Sequence, residues 1–382
     1  TIVILSGATT GTSTITPSDD GVTEGFEGFN MSVLDSSFEA VATSGTVTIK
    51  DGAEAGKNVS LKTTGDNENG TSGNDTYSSA IGTNGTPGNG TSLNAGDVLD
   101  GKGGDGDVLN ISVAGTHTAP TITAGFTLKN IEIVNVTNTE TSANLDTLNM
   151  SQATGIETIS LSGNATGVTT FSNIQALAAI KLTNSSIATS TFTYVDSVLT
   201  GASTSQALTI ENVTAGTINI DATTGALADA IETINLVSGG TAASTVTVNS
   251  NGANLTTMNI SGAQDLTLTL DSTVATVNAA VTDNVATGKV GIITVAASPA
   301  VMTVTGGSND DRFDFLATTL DALDTVKGGG GDADVLVVDT VMTEADLAKV
   351  TEVEVLEQDG AVAVTLASNI SETLFDHKHF FS

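Results

Sequence analysis

The residues best suited to chemistry in this 382-residue chain are aspartates set in glycine-rich turns, and they occur in two matching sets. Gly101-Lys102-Gly103-Gly104-Asp105-Gly106-Asp107-Val108-Leu109 is answered near the other end by Gly328-Gly329-Gly330-Gly331-Asp332-Ala333-Asp334-Val335-Leu336. Each is a glycine run ending in two alternate carboxylates and an apolar strand. Asp97 and Asp324 stand ten residues before Asp107 and Asp334 respectively. Upstream again come Gly73-Asn74-Asp75-Thr76-Tyr77 and Asn309-Asp310-Asp311-Arg312-Phe313. Glycine lets the backbone turn sharply and present its carbonyls, and Asp at alternate positions aims both carboxylates from one face. Calcium is bound by about six to eight oxygens at slightly variable distance. The spacing therefore points to Ca2+ as the cofactor, with the pairs Asp105 and Asp107, and Asp332 and Asp334, as ligands. Asp97 and Asp324 are the next candidates, and Asp75 and Asp311 belong to the same modules. A plain acidic turn is the competing reading of any single copy. Two aligned copies favour the ion.

Other chemistry finds little support. The three histidines are His117, in a Thr-rich turn, and His377 and His379 near the end, and they assemble neither a zinc-protease helix nor a serine-type triad. His377-x-His379 offers a transition-metal pair, against the plainer reading of a flexible tail. The strongest enzymatic alternative is a polysaccharide lyase or glycosidase on a β-helix. A lyase needs a basic residue beside calcium and aromatic rings to stack sugars, yet only Arg312 and Lys102 lie near the modules and the chain has no tryptophan. No carboxylate pair is singled out for glycoside hydrolysis. The expectation is a protein that is not an enzyme.

Composition sets the surroundings of these turns. Forty-three acidic residues against eleven basic ones give a formal charge of −32, with Arg312 the single arginine. Such a surface repels nucleic acid and anionic lipid and attracts divalent cations. Acidity for solubility alone is the bland alternative, but the carboxylates concentrate in the glycine-rich passages. The absence of cysteine removes disulfides, thiolate metal sites and thiol nucleophiles together. No stretch is long and apolar enough to cross a membrane as a helix, so no membrane insertion is expected. The chain opens at Thr1 without methionine or leader, which reads as a processed product or an excised piece.

The elements that must position the aspartates are strands. Short runs of alternating β-branched and polar residues, separated by Gly, Asn, Asp or Ser, fill almost the whole length. Ile131-Glu132-Ile133-Val134-Asn135-Val136, Ile156-Glu157-Thr158-Ile159 and Ile231-Glu232-Thr233-Ile234 are examples. Helical periodicity is confined to Ile174 to Ile180 and Thr343 to Val350, the latter opening on a capping-box-like Thr343-Glu344-Ala345-Asp346. Strand starts recur every ~10 to 25 residues, the size of one coil of a solenoid. With 39% hydrophobic residues but only 3% aromatic, the core is expected to be thin layers of small branched side chains. The fold class expected is all-β, a parallel β-helix-like solenoid, with a string of β-sandwiches as the alternative for residues 120 to 300. Four segments follow: a β-rich lead-in over 1–60, the first module over 61–111, solenoid repeats over 112–300, and the second module with a C-terminal cap over 301–382. The ending from Leu374 fits either a secretion signal or a strand that closes the last coil.

Gly70-Thr71-Ser72-Gly73-Asn74-Asp75-Thr76-Tyr77 and Gly306-Gly307-Ser308-Asn309-Asp310-Asp311-Arg312-Phe313 resemble single copies of the calcium-binding nonapeptide of RTX proteins. The resemblance implies that Asp75 and Asp311 are ligands and that Tyr77 and Phe313 point into the core. Thr71 departs from the second glycine of the pattern and Asn309 from the third, and tandem copies are absent. Isolated motifs of this kind, set among Thr/Ser/Asn-rich β-repeats in an acidic, cysteine-free chain, resemble the bacterial surface-layer proteins secreted by type I systems. That family implies a secreted, cell-surface protein that self-assembles through calcium into a homo-oligomeric lattice, with cell-surface polysaccharide as a further partner and no nucleic acid. A section of a large RTX-type adhesin or filament is the second reading, and a polysaccharide-active β-helix enzyme the third.

Overall fold

The computed structural model describes residues 55–82, 90–117, 121–142, 145–200, 203–214, 216–222, 230–250, 254–279, 301–315, 320–339 and 342–358, with the backbone of the strands Phe26–Phe29, Ser32–Leu34, Ala40–Thr43, Val47–Lys50, Ile292–Val295 and His379–Phe381. Among the described residues the only helical element is the 3-10 turn Asp196–Val198, and the rest of the regular structure is strand. From Asn58–Ser60 onward every pairing is parallel, and successive coils add to a 13-stranded sheet and a 12-stranded sheet. The fold is a β-solenoid. The sandwich alternative is excluded, because sandwiches are built from antiparallel pairs.

Alternation along each strand sets which side chains are enclosed. In Thr158–Gly163, Ile159 and Leu161 point inward while Thr158 and Ser160 lie toward the outside. Parallel stacking in register then repeats that choice from coil to coil. Tyr77, Leu109, Val134, Ile159, Ile180, Leu208, Leu236 and Ile260 form one continuous buried column in the 13-stranded sheet. In the 12-stranded sheet Leu148, Phe171, Phe192 and Ile220 form another, where the two rings stack with centroids 5.1 Å apart and planes 3° from parallel. Each fully buried side chain of this size is worth about 1.5–3 kcal/mol. On the outside, polar residues repeat just as the apolar ones do. The Asn259 amide donates to Asn235 at 2.8 Å, Asn278 to Asn259 at 3.0 Å, Asn135 to Asn110 at 3.0 Å and Asn249 to Asn219 at 3.2 Å.

The two glycine and aspartate modules are coils of this same body, but they occupy different corners. Near the N-terminal end a third, three-stranded sheet is formed by Asn67–Asn69, Val98–Asp100 and Thr127–Lys129. The first module turns from that sheet into strands Thr76–Ile81 and Val108–Val113 of the 13-stranded sheet. The second turns from Thr303–Thr305 and Thr325–Lys327 of the 13-stranded sheet into Arg312–Phe315 and Val335–Val338 of the 12-stranded one.

Both helix expectations are corrected. Ile174 to Ile180 ends one strand, Val168–Ile174, and begins the next, Ala179–Ser185, because Ala179 and Ile180 stack in register on Thr158 and Ile159. Thr343 to Val350 forms consecutive turns closed by i to i−3 bonds, such as Ala348 N–H to the Ala345 carbonyl at 3.3 Å. The capping arm is nevertheless made, since Thr343 N–H donates to Asp346 Oδ2 at 2.8 Å. In the 1–60 segment the four described strands before Asn58 pair antiparallel, Phe26–Phe29 with Val47–Lys50 and Ser32–Leu34 with Ala40–Thr43, while Asn58–Ser60 already joins the parallel sheet. At the other end the backbone of His379–Phe381 adds in parallel to Val355–Gln358.

Candidate metal sites at the glycine and aspartate corners

The aspartates sit where the chain leaves one strand and enters the next, and each module repeats the same geometry. Asp75 is fully buried and its carboxylate bridges two coils: Oδ1 accepts from Lys57 N–H at 2.6 Å and Oδ2 from Thr71 N–H at 2.7 Å. Thr71, the departure from the nonapeptide glycine, adds its hydroxyl to Oδ1 at 3.2 Å. Asp75 N–H in turn donates to Asp107 Oδ1 at 2.6 Å, and Asp107 N–H to Glu132 Oε2 at 2.8 Å. The second module has the same ladder. Gly307 N–H donates to Asp311 Oδ2 at 2.6 Å, Asp311 N–H to Asp334 Oδ1 at 2.6 Å, and Asp334 N–H to Glu354 Oε2 at 2.8 Å. Tyr77 and Phe313 are buried in the core, as the resemblance implies.

One rung differs from the others. Asp75 follows Gly70 by five residues and Asp311 follows Gly306 by five, whereas Asp107 follows Gly101 by six and Asp334 follows Gly328 by six. In the longer loops the N–H that would meet the second carboxylate oxygen bonds to the previous coil, Gly103 to the Thr71 carbonyl at 3.1 Å and Gly330 to the Gly307 carbonyl at 2.9 Å. Asp107 Oδ2 and Asp334 Oδ2 are consequently buried without a donor. Glycine is required beside them: a Cβ on Gly101 would stand 2.2 Å from Asp107 Oδ2 and 1.9 Å from the Asn130 carbonyl oxygen, and one on Gly328 2.6 Å from Asp334 Oδ2 and 1.4 Å from the Glu352 carbonyl oxygen.

Burial raises the pKa of these carboxyls. Asp334 is pushed up to about 7 by desolvation, with the charges of Glu354, Asp310 and Glu352 adding to the effect against the bond from Asp311. Asp107 is raised by burial and by Glu132 and Asp75. Asp97 and Asp324 are raised chiefly by burial.

Asp97 and Asp324 lie at the opposite end of their short strands from the glycine runs. Asp97 accepts from Asp66 N–H at 2.8 Å and Asn94 N–H at 2.6 Å; Asp324 accepts from Met302 N–H at 2.6 Å and Asp321 N–H at 2.8 Å. The strands Val98–Asp100 and Thr325–Lys327 intervene, about 10 Å of extended chain. Asp105 and Asp332 are exposed on the loops, their N–H groups held by Asn74 Oδ1 at 3.3 Å and Asp310 Oδ1 at 2.9 Å. The eight candidates thus divide between two corners and a loop in each module, and among the described residues no three of them converge as a tight acidic cluster.

Glu132 and Glu354 complete the ladders and were not among the residues singled out from sequence. The signal available was equal placement: each directly precedes or closely precedes a strand stacked on the aspartate strand, Ile133–Asn138 and Val355–Gln358. The basic residues considered for a lyase are engaged. Arg312 pairs with Asp314 at 2.8 Å and Glu357 at 2.6 Å, and Lys102 with Asp100 at 2.9 Å. No protein family matches the chain, and no curated protein is significantly similar to it.

Proposed function

We propose that this chain is a calcium-dependent structural subunit of an extracellular bacterial surface layer, in which the solenoid is the rigid body and the two modules bind calcium and join copies. The observation that carries the calcium reading is the unpartnered, buried oxygen at the same position in both modules, Asp107 Oδ2 and Asp334 Oδ2. An ionised oxygen without a donor is costly in such a place, and a cation relieves that cost. The donor set fits a hard ion, being carboxylate and backbone carbonyl only. Asp107 with Asp105 would hold an ion in the first module, and Asp334 with Asp332 in the second. Bound calcium supplies positive charge and bridging; the chain's own groups supply the fixed turn, through the bonds from Asp75 and Asp311.

Assembly is supported by the shape and charge of the body. A solenoid with in-register ladders is stiff, and a surface of net charge −32 keeps copies apart until cations neutralise it. Exposed Asp105 and Asp332 place carboxylates on loops of the two modules, where neighbouring copies can share ions. Electron microscopy of the full chain with EGTA and then with millimolar-scale calcium tests both parts, that range being typical of extracellular modules. Ordered sheets that form with calcium and dissolve with EGTA are expected. Persistent monomers would overturn the assembly reading, and straight fibres would favour the filament alternative.

A further inference from the structure

A second cluster, independent of the calcium reading, lies where the coil leaves the 13-stranded sheet after Val108–Val113 and Ile133–Asn138 and enters the 12-stranded sheet at Asp146–Asn149. His117, Glu140 and Asp146 are all buried there, 1%, 0% and 3% exposed, with one ligand atom from each lying within 4.8 Å of the others. His117 Nδ1 is 3.0 Å from Asp146 Oδ1 and 3.9 Å from Glu140 Oε1. Its other ring nitrogen, Nε2, is 2.9 Å from the Gly82 carbonyl oxygen. A carbonyl can only accept, so Nε2 carries a proton. Nδ1 then faces two carboxylates, Asp146 at hydrogen-bond distance and Glu140 just beyond it.

We propose that His117, Glu140 and Asp146 form a site for a borderline divalent metal ion such as Zn2+. Four observations carry it. The imidazole is oriented from outside the cluster by Gly82, which leaves Nδ1 as the ligating atom, the arrangement in which metal-bound histidines are normally held. Asp146 is oriented in the same way, because Asn138 Nδ2 donates to its Oδ2 at 2.9 Å while Oδ1 faces the imidazole. Glu140 Oε2 is buried and has no donor, whereas Oε1 accepts from His117 N–H at 3.2 Å, Ser142 N–H at 2.8 Å and the Ser142 hydroxyl. Finally, two carboxylates outnumber one imidazole, and among the described residues neither forms an ion pair with lysine or arginine. A second proton on His117 would still leave the buried group negative. A divalent ion balances it.

The distances and donor types select the metal. Ligand atoms ~2.0–2.2 Å from a tetrahedral zinc stand roughly 3.4 Å apart, close to the 3.0 Å between Nδ1 and Asp146 Oδ1, and Glu140 offers its unpartnered Oε2 as the third. One nitrogen and two carboxylates suit zinc and its neighbours better than calcium, which takes oxygen throughout. Because the three side chains are buried, the ion enters as the coils close and its binding is coupled to folding.

The test uses the full chain carrying His377→Ala and His379→Ala, so that His117 is the only imidazole, unfolded in chelator and refolded with Co2+ as the spectroscopic probe. One equivalent of Co2+ should give visible bands that Zn2+ abolishes. His117→Gln should lose them. Glu140→Gln, which keeps the acceptor for Ser142, should weaken Co2+ binding at least tenfold with the far-ultraviolet dichroism unchanged. Asn138→Ala, which removes the bond that orients Asp146 together with those to Glu140 N–H and the Thr169 hydroxyl, should weaken it by about 10- to 100-fold. The proposal is overturned if the refolded chain shows no bands, or if Glu140→Gln binds Co2+ as the parent does. It is also overturned if nitrogen-15 spectra show both ring nitrogens of His117 protonated with Zn2+ in excess, which would make the cluster an ion triad.

Discussion

The corners of the two modules and the corners of the middle coils solve one problem in different ways. In the middle, the residue before a strand donates its N–H to a backbone carbonyl of the preceding coil: Glu157 to Glu132 at 2.8 Å, Glu232 to Thr204 at 3.1 Å, Thr256 to Glu232 at 3.0 Å. In the modules the equivalent N–H, that of Asp75 or Asp311, donates forward to the carboxylate of the next coil. Glycine runs lengthen these turns and carry the carbonyls out of reach, and a side-chain oxygen takes their place. The body is therefore held by two kinds of bond. Backbone bonds, which dominate the middle corners, are indifferent to pH and ions, whereas carboxylate bonds, concentrated at the modules and recurring where Thr204 N–H meets Glu232, respond to both.

The difference is broken most severely at the bridging aspartates. Asp75→Ala strands the N–H groups of Lys57 and Thr71, and a buried donor left unsatisfied costs about 1–3 kcal/mol. We expect a loss of roughly 2–5 kcal/mol in EGTA. Glu157→Ala, at a middle corner whose N–H is held by backbone, should stay within about 0.5 kcal/mol. Denaturant unfolding of the two variants, read with hydrogen exchange of the corner amides, checks the contrast. Equal losses would show that the carboxylates are not the supports assigned to them.

Acidity sharpens the comparison next. Asp334 has a folded pKa near 7, above the value of about 3.9 in an unfolded chain, and Asp97, Asp107 and Asp324 are raised too. A raised folded pKa means that the native state holds the proton more tightly. Its stabilisation is complete below the unfolded pKa and is lost as pH rises through the folded one. In calcium-free buffer the amides around Asp334 should lose exchange protection between about pH 4 and pH 7, and those around Asp107 should change in the same direction as pH rises, while those of Thr233–Gly239 hold steady. Added calcium should restore protection at pH 7 and do little near pH 4. A calcium-independent profile at pH 7 would sink the ion at these corners.

A smaller and more pointed change is Asp107→Asn together with Asp334→Asn. The amide keeps the acceptor for Asp75 or Asp311 and removes the unpartnered charge. At pH 7 without calcium the double variant should gain about 1–2 kcal/mol, one unpartnered oxygen being relieved in each module, and its midpoint should no longer rise with calcium. Destabilisation instead, or a retained calcium response, would remove Asp107 and Asp334 from the ligand set.

How much of this was legible in the sequence follows from which forces are local. Period-two alternation is local, so Ile159 and Leu161 announced an inward face and the repetition of such segments announced coils. That Asp75 and Asp107 belong to one module was legible from the two aligned sets, but the bond between them and its chemistry were not. Whether a carboxylate meets a cation or an N–H depends on a one-residue difference in loop length and on the coil above, neither of which composition reveals. Glu132 and Glu354 escaped notice because no glycine run precedes them. His117, Glu140 and Asp146 escaped because their meeting depends on register. The 25-residue offset of Asn110 and Asn135 would have placed His117 beside Ser142, two residues from Glu140. The helix expected at Ile174 failed for the same reason, since a weak local pattern yields to in-register stacking on the coil before, and the one expected at Thr343 stops at single turns.

The smallest effect belongs to the outer ladder of the middle coils, where the comparison reaches its other limit. Asn259 receives from Asn278 and donates to Asn235, both on an exposed face. Water can replace each bond, so Asn259→Ala should cost only about 0.5–1 kcal/mol, with the same value at pH 4 and pH 7 and with or without calcium. That invariance is what matters. If Asn259→Ala tracked pH or calcium as the module variants should, the coils would act as one electrostatic unit. If it does not, the ends answer to their ions separately while nearest-neighbour stacking carries the middle.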